Sequence, residues 1–365
     1  MIRTIPIILA GGIGERFWPM SRSSSPKQLH AIGSDKSMIE ETILRTQDCC
    51  SADAKPMLIT GAPIADKVRR ALGNDIDGIE IIAEPVGKNT APAIAIAAAI
   101  IKKRYDDAVM AVVSADHAIK PINEFVHAIH CAVDLAKKRD GLIVFGIKPS
   151  RPETGYGYIE LGEHIDTNTP SPNCSAFAVK RFVEKPDAEN AKMFMESGKF
   201  LWNSGMFVWK ASTILEEFRQ NMPDLYEQAM NASDKNFTAE AISEFYSVCR
   251  KESIDFGIME KARNVSAVCG DFFWDDLGSW EALSRIYGEN DNGTTVTGPL
   301  TYESGCADSL IVNKSNRTLA AVGLKNVAVI AVDDALLVID RSQLPDLKKY
   351  LSEIKECGKF PDNLF

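Results

Sequence analysis

An apolar, β-branched run at residues 5–9 leads without a break into Leu9-Ala-Gly-Gly-Ile-Gly-Glu-Arg-Phe-Trp-Pro-Met-Ser-Arg-Ser-Ser-Ser-Pro-Lys-Gln28. A strand that ends in closely spaced glycines must be succeeded by a tight turn whose backbone lies open. Gly11, Gly12 and Gly14 carry no Cβ, so the chain there can take positive φ and bring its N–H groups close to a polyphosphate. Arg16, Arg22 and Lys27 add fixed positive charge to such a cradle. Neither of the two commoner glycine loops fits. No Gly-Lys-Ser/Thr closes a Walker A pattern, and reading Gly-x-Gly from Gly12 puts Phe17 where the Rossmann fingerprint needs a small residue.

The sequence around this loop is that of an ordinary folded chain. Its 365 residues suffice for one large core and a smaller one, and 45% apolar with 25% charged residues excludes disorder. A formal charge of −9 argues against a nucleic-acid surface, so the basic residues near the N-terminus read as a local site. Eight cysteines are scattered without a C-x-x-C pair and are read as reduced core thiols. The longest apolar stretch, residues 91–101, is about half of what a bilayer span requires. The expectation is a cytoplasmic protein with no membrane and no nucleic-acid partner.

Strand-like runs at residues 5–9, 57–60, 79–83, 109–113 and 142–147 alternate with helical patterns at 39–46, 91–104 and 124–138. That rhythm predicts an α/β fold with a Rossmann-like mixed, mostly parallel sheet flanked by helices. Ligands in such sheets sit beyond the carboxyl ends of the strands, where the glycine loop, the turn after Ala83 and Asp116 all fall. From residue 155 shorter extended pieces follow, broken by a polar loop at 166–175. The segment Asn290-Asp-Asn-Gly293 reads as a linker to a small β-rich, β-helix-like domain with evenly spaced short strands and a final helix at 344–355. The expected division is 1–288 for the catalytic domain and 294–365 for the tail. Exposed strand edges in the tail make a homodimer the expected assembly.

Arg16, Trp18-Pro19, Ser21-Arg22 and Pro26-Lys27-Gln28 extend the glycine loop beyond what turn chemistry requires. The whole run resembles the signature of the sugar-1-phosphate nucleotidylyltransferases, most closely the mannose-1-phosphate guanylyltransferases, also called GDP-mannose pyrophosphorylases. Further segments match in order: Glu84-Pro-Val-Gly-Lys-Asn89-Thr90, Ser114-Ala-Asp116-His117, Glu153-Thr-Gly-Tyr-Gly157-Tyr, Phe182-Val-Glu184-Lys185-Pro, Asn203-Ser-Gly-Met-Phe and Phe273-Trp-Asp-Asp276-Leu-Gly. By that resemblance Gly11, Gly12, Gly14, Glu84, Asn89 and Thr90 bind the nucleotide, and Glu84 accepts from guanine N1–H and its exocyclic amine. Taken alone, the 84–93 segment reads better as a helix cap. Gly157, Glu184, Lys185 and Asn203 bind the sugar phosphate, while Asp116 and Asp276 hold Mg2+, with neighbouring Asp275 open as an alternative. Ser253-Ile-Asp-Phe-Gly-Ile-Met-Glu260 resembles a further segment in which Asp255 or Glu260 shapes the pocket, and it reads equally as a helix N-cap at Ser253.

The resemblance implies transfer of GMP from GTP to mannose 1-phosphate with release of pyrophosphate. The attacking phosphate is already an anion, so the chemistry requires charge neutralisation and in-line positioning rather than a base. Arg16, Lys27 and Lys185 are the catalytic candidates: Arg16 for the β- and γ-phosphates, Lys27 for the α-phosphate, Lys185 for the acceptor. Rival readings are another hexose 1-phosphate or base, a silent regulatory paralogue, or a glycosyltransferase. The last would not need the long triphosphate loop from Arg16 to Lys27. His127 and His130 read as surface residues of an amphipathic helix.

Overall fold

The apolar run after Arg3 becomes a strand hydrogen-bonded on both sides, which is why it shows no polar alternation: Ile5, Ile7 and Ile8 are all fully buried. The fold was obtained as a computed structural model that describes residues 2–73, 78–167, 174–361 and 364–365. These separate into two compact units. The first comprises Met1–Gly11, Glu40–Ala115 and Ile119–Trp274; the second comprises Gly12–Ile39, Asp116–Ala118 and Asp275–Phe365.

In chain order the strands up to residue 275 are β1 (Arg3–Ala10), β2 (Met57–Gly61), β3 (Glu80–Glu84), β4 (Ala108–Ser114), β5 (Ala118–Lys120), β6 (Leu142–Ile147), β7 (Tyr158–Ile165), β8 (Ser175–Val183), β9 (Phe200–Lys210), β10 (Val265–Cys269) and β11 (Phe273–Asp275). Nine of them form one sheet in the order β3-β2-β1-β4-β9-β6-β10-β8-β7. The block from β3 to β4 is parallel, as is β6 with β10. β9 runs antiparallel to β4 and β6, so the sheet is mixed beyond β4. The helix Thr90–Tyr105 fills the core of this unit, with every residue from Ala91 to Ile101 buried. Its unbroken apolar run is thus a helix covered on all sides by protein.

The second unit contains β12 (Thr295–Thr297), β13 (Thr301–Ser304), β14 (Leu310–Asn313), β15 (Leu319–Val322), β16 (Val327–Ala331) and β17 (Leu336–Asp340). β12, β14 and β16 stack in parallel, β13 pairs in parallel with β15, and β17 closes the stack antiparallel to β16. Parallel strands 15 to 18 residues apart are the register of a coiled β-helix-like ladder. Its core incorporates the segment after the glycine turn. Phe17, Trp18 and Met20 are buried together with Leu277, Trp280, Leu310, Val312 and Ile330. The Phe17 and Trp280 rings lie 4.9 Å apart, and Trp280 Nε1 donates to Trp18 O at 2.9 Å. The compact units therefore do not follow the expected split at 288/294: residues 12–39 pack with the tail. Their aromatic side chains find apolar partners more than 250 residues away, which local pattern does not reveal.

The cysteines need one correction. Cys131, on the helix Ile122–Lys138, is disulfide-bonded to Cys174, just before β8, rather than being a reduced thiol. A pair 43 residues apart leaves no spacing signature. Cys49, Cys50, Cys249, Cys269, Cys306 and Cys357 are free thiols. The polar loop expected at 166–175 falls largely outside the described residues.

Trp280 is 1% exposed at the centre of the second unit's core. Trp280→Ala should cost about 3–5 kcal/mol, read as a lowered urea midpoint of that unit's near-UV transition; an unchanged midpoint would refute the packing role.

Candidate active site

The glycine turn is fixed by a lysine. Gly14 sits at φ +80°, and a Cβ placed on it would lie 2.6 Å from Lys27 Cβ, so both its conformation and its space require glycine. Lys27 N donates to Ile13 O, closing the loop on itself. The Lys27 side chain is buried, with the residue 4% exposed. Its Nζ lies 2.7 Å from Asp116 Oδ2 and donates to Asp276 O at 3.0 Å and Leu277 O at 2.9 Å. Gly14, Lys27, Asp116 and Asp276 are thereby brought together within one unit. Burial pushes the Asp116 carboxyl up, but Lys27 and then His117 outweigh it and hold the group below the usual carboxylate range.

The two aspartates at 275 and 276 have different roles. Asp275 is 2% exposed, clamped by Arg285 through Nε to Oδ2 at 2.5 Å and Nη2 to Oδ1 at 3.0 Å, and it also accepts from Leu277 N at 2.9 Å. Its oxygens are committed to holding the turn. Asp276 is half-buried and accepts from Gly278 N at 3.0 Å. Arg22 also differs from expectation. It is 8% exposed and forked onto Asp334 by two 2.6 Å bonds, with Nε on Pro19 O, so it braces the second unit and its charge is not available to a phosphate. Arg16 is exposed on the short turn Glu15–Phe17.

In the first unit Glu84 ends β3 at the same sheet edge at which Gly11 follows β1. It is 5% exposed, its Oε1 is buried without a hydrogen-bond partner among the described residues, and its Oε2 lies 3.5 Å from where a Gly11 Cβ would be. Burial raises the pKa of Glu84, and the nearby Tyr246 hydroxyl opposes that rise. Tyr246, fully buried, has its own pKa pushed well up by burial and by the Glu84 charge. Nothing in the sequence links the two. Asn89, at φ 71°, caps the helix Thr90–Tyr105 by accepting from Thr90 N at 2.9 Å. Thr90 Oγ1 accepts from Ile254 N at 2.8 Å. The capping reading of this segment therefore holds, and it also braces the residues ahead of Asp255.

The acceptor candidates meet as well. A Cβ on Gly157 would lie 2.6 Å from Glu184 Oε2 and 3.3 Å from Asn203 Cβ. Lys185, exposed at φ 47°, places Nζ 2.6 Å from Glu184 Oε1. Asn203, 8% exposed, donates from Nδ2 to Asp255 Oδ1 at 2.8 Å and accepts on Oδ1 from Gly205 N at 3.0 Å. Glu260 is the exposed residue that ends the turn Asp255–Met259. His127 and His130 are exposed on their helix.

Residues 5–291 match the family model described as nucleotidyl transferase. The chain belongs to the nucleotidyl transferase family. A curated relative from Klebsiella pneumoniae, named mannose-1-phosphate guanylyltransferase, is 36% identical over 362 residues, covering 96% of this chain and 74% of the relative. One from Escherichia coli with the same name is 36% identical over 360 residues, with the same coverage. A solved structure from Thermus thermophilus, described as a mannose-1-phosphate geranyltransferase, superposes with a TM-score of 0.82 at 27% identity, covering 97% of this chain and 100% of that one. In this nucleotidyl transferase no helix among the described residues is long and apolar enough to cross a membrane.

The enzyme's paired aspartates are separable by experiment. Asp275→Asn leaves Arg285 facing a neutral partner and should lower stability by about 3 kcal/mol in urea denaturation. Asp276→Asn should leave the midpoint within about 0.5 kcal/mol and impair turnover instead. Equal losses of stability in both would overturn the division.

Proposed function

We propose that this nucleotidyl transferase carries GMP from GTP to mannose 1-phosphate, releasing pyrophosphate and forming GDP-mannose, with Mg2+ as cofactor, in the cytoplasm, where GTP is supplied. The observation that carries the reading is the oxygen cage around Lys27: a buried ammonium held by a carboxylate and two carbonyls directly behind the turn at Gly14. The cage takes the carboxylate of Asp116 but the backbone carbonyl of Asp276, whose own carboxylate accepts from Gly278 N; a hard divalent ion needs only one or two such carboxylates when phosphate oxygens complete its shell. No cluster of three or more ligating side chains exists among the described residues, so affinity without nucleotide should be weak. Asp116 and Asp276 would hold the magnesium. When bound, it supplies Lewis-acid neutralisation of phosphate charge.

The chain's own residues have the following parts. Backbone N–H groups at Gly11, Gly12 and Gly14 approach the triphosphate, with Arg16 directed to its outer phosphates. Lys27, once its bond to Asp116 is exchanged for a phosphate oxygen, neutralises charge gathering at the α-phosphorus. Lys185 holds the phosphate of the acceptor, whose oxygen attacks without a base. Glu84 supports guanine as the base. A carboxylate can accept from a donor pair, and guanine presents N1–H and an amine where adenine has an acceptor N1.

Pyrophosphate release across GTP, ATP, UTP and dTTP against mannose, glucose and N-acetylglucosamine 1-phosphates tests the proposal. Turnover confined to GTP with mannose 1-phosphate is expected, and a different preferred pair would refute the specificity. Lys27→Ala should lower kcat by about a hundredfold or more. Full activity in that variant would sink the role given to Lys27, while silence of the wild type with intact nucleotide binding would favour a regulatory paralogue.

A further inference from the structure

Among the described residues the Asn203 side chain uses half of its hydrogen-bonding capacity. A primary amide has two N–H donors and two lone pairs on oxygen. One donor goes to Asp255 Oδ1 at 2.8 Å and one lone pair takes Gly205 N–H at 3.0 Å. These two bonds also decide which way the amide faces, since a flipped group would set its oxygen against a carboxylate and its NH2 against an N–H. Asp255 is itself held firmly. It opens a π-helical turn, Asp255–Met259, a rare geometry that recurs at functional sites. The residue before it donates to Thr90 Oγ1, and a Cβ on Gly257 would lie 2.6 Å from Met222 Sδ, so the turn is closely packed.

We propose that Asp255 is a positioning residue of the acceptor subsite, orienting the Asn203 amide so that its second N–H and second lone pair meet the sugar hydroxyls. This rests on the acceptor reading given above and deepens it. An amide locked in this way offers one donor and one acceptor at fixed positions, which distinguishes hydroxyl epimers more sharply than a rotating group.

The electrostatics give the arrangement a signature. Burial, and then the Glu184 charge, push Asp255 up to about 6, with the Asn203 bond and Lys185 acting the other way. Glu184 and Lys185, from the segment after β8, are the charged groups that bear on it. Above that pH the carboxylate accepts a charge-assisted bond from Asn203; below it the bond is to a neutral acid and is weaker. Acceptor binding should therefore tighten as pH rises through about 6. A phosphate monoester also loses a proton near ~6, so the comparison must be with a variant in which only the substrate titrates.

Asp255→Ala and Asp255→Asn are assayed beside the wild type from below to above this pH, with whichever sugar 1-phosphate the wild type turns over. Calorimetric Kd for mannose 1-phosphate is measured in parallel. Asp255→Ala should raise the acceptor KM and Kd about tenfold or more with GTP KM unchanged. Asp255→Asn should recover part of that loss and flatten the component of log KM near pH 6 that distinguishes wild type from variant. An unmoved acceptor KM and Kd in Asp255→Ala, an equal rise in both substrates' KM, or the wild-type pH profile retained in Asp255→Asn overturns the proposal. Wild-type turnover in the same plates keeps its failure distinct from failure of the proposed reaction.

Discussion

The buried ammonium of Lys27 is the interaction around which the second unit's candidate residues are arranged. An isolated ammonium taken out of water costs several kcal/mol, and only close oxygen partners offset it. Asp116 supplies the charge and the carbonyls of Asp276 and Leu277 supply the remaining acceptors. Those carbonyls must point inward, which fixes the 275–278 turn, and Leu277 accordingly adopts φ 49°. The side-chain stem of Lys27 presses on Gly14, so the turn there has no room for a Cβ. The Arg285 clamp on Asp275 holds the same turn from its other side. A single buried charge thus dictates a glycine, an inverted backbone residue and the placement of two aspartates.

The first unit is organised around a different constraint, the rigid apolar helix Thr90–Tyr105. Its N-terminus is capped by Asn89, and the same first turn receives Ile254 N–H on Thr90 and joins Ala91 N to Glu252 O. The segment that bears Glu84 and the segment that bears Asp255 are therefore tied to one helix end. Residues read as binding groups for the nucleotide act first as scaffold. A change at Thr90 would be felt at Asp255 through a single residue, and from there at Asn203. The helix end that follows the Glu84 segment is also the anchor of the turn that bears Asp255.

Much of this was legible in the sequence because it is local. The strand before the glycines, the apolar helix at 91–104 and the evenly spaced tail strands follow from period and composition, and their positions agree with β1, Thr90–Tyr105 and β14 to β17. Gly157, Glu184, Lys185 and Asn203, chosen from separate short segments, do converge. What was not legible is pairing over distance. Arg22 reads as a phosphate ligand until Asp334 is placed beside it, Cys131 reads as a thiol until Cys174 is, and Phe17 and Trp18 read as loop residues until Trp280 packs on them. Tyr246 carried no signal at all. Charge, redox state and burial are properties of such pairs, and the sequence presents only their members.

Under the acceptor reading proposed above, the cluster of Glu184, Lys185, Asn203 and Asp255 sets carboxylates beside an anion. Glu184 and Asp255 would repel a sugar phosphate if they faced its phosphate, yet they are the groups nearest Gly157 and Asn203. The conflict is removed by division of labour. Lys185 pairs with Glu184 at 2.6 Å and presents net neutrality on the exposed side, whereas Asp255 turns its charge toward an amide. Carboxylates held this way are strong acceptors for hydroxyls and poor neighbours for a second phosphate. The mutual repulsion that helps lift Asp255 toward 6 is the electrostatic cost of that arrangement, and it persists because the Asn203 amide and the packed π-helical turn leave the carboxyl no other place to go.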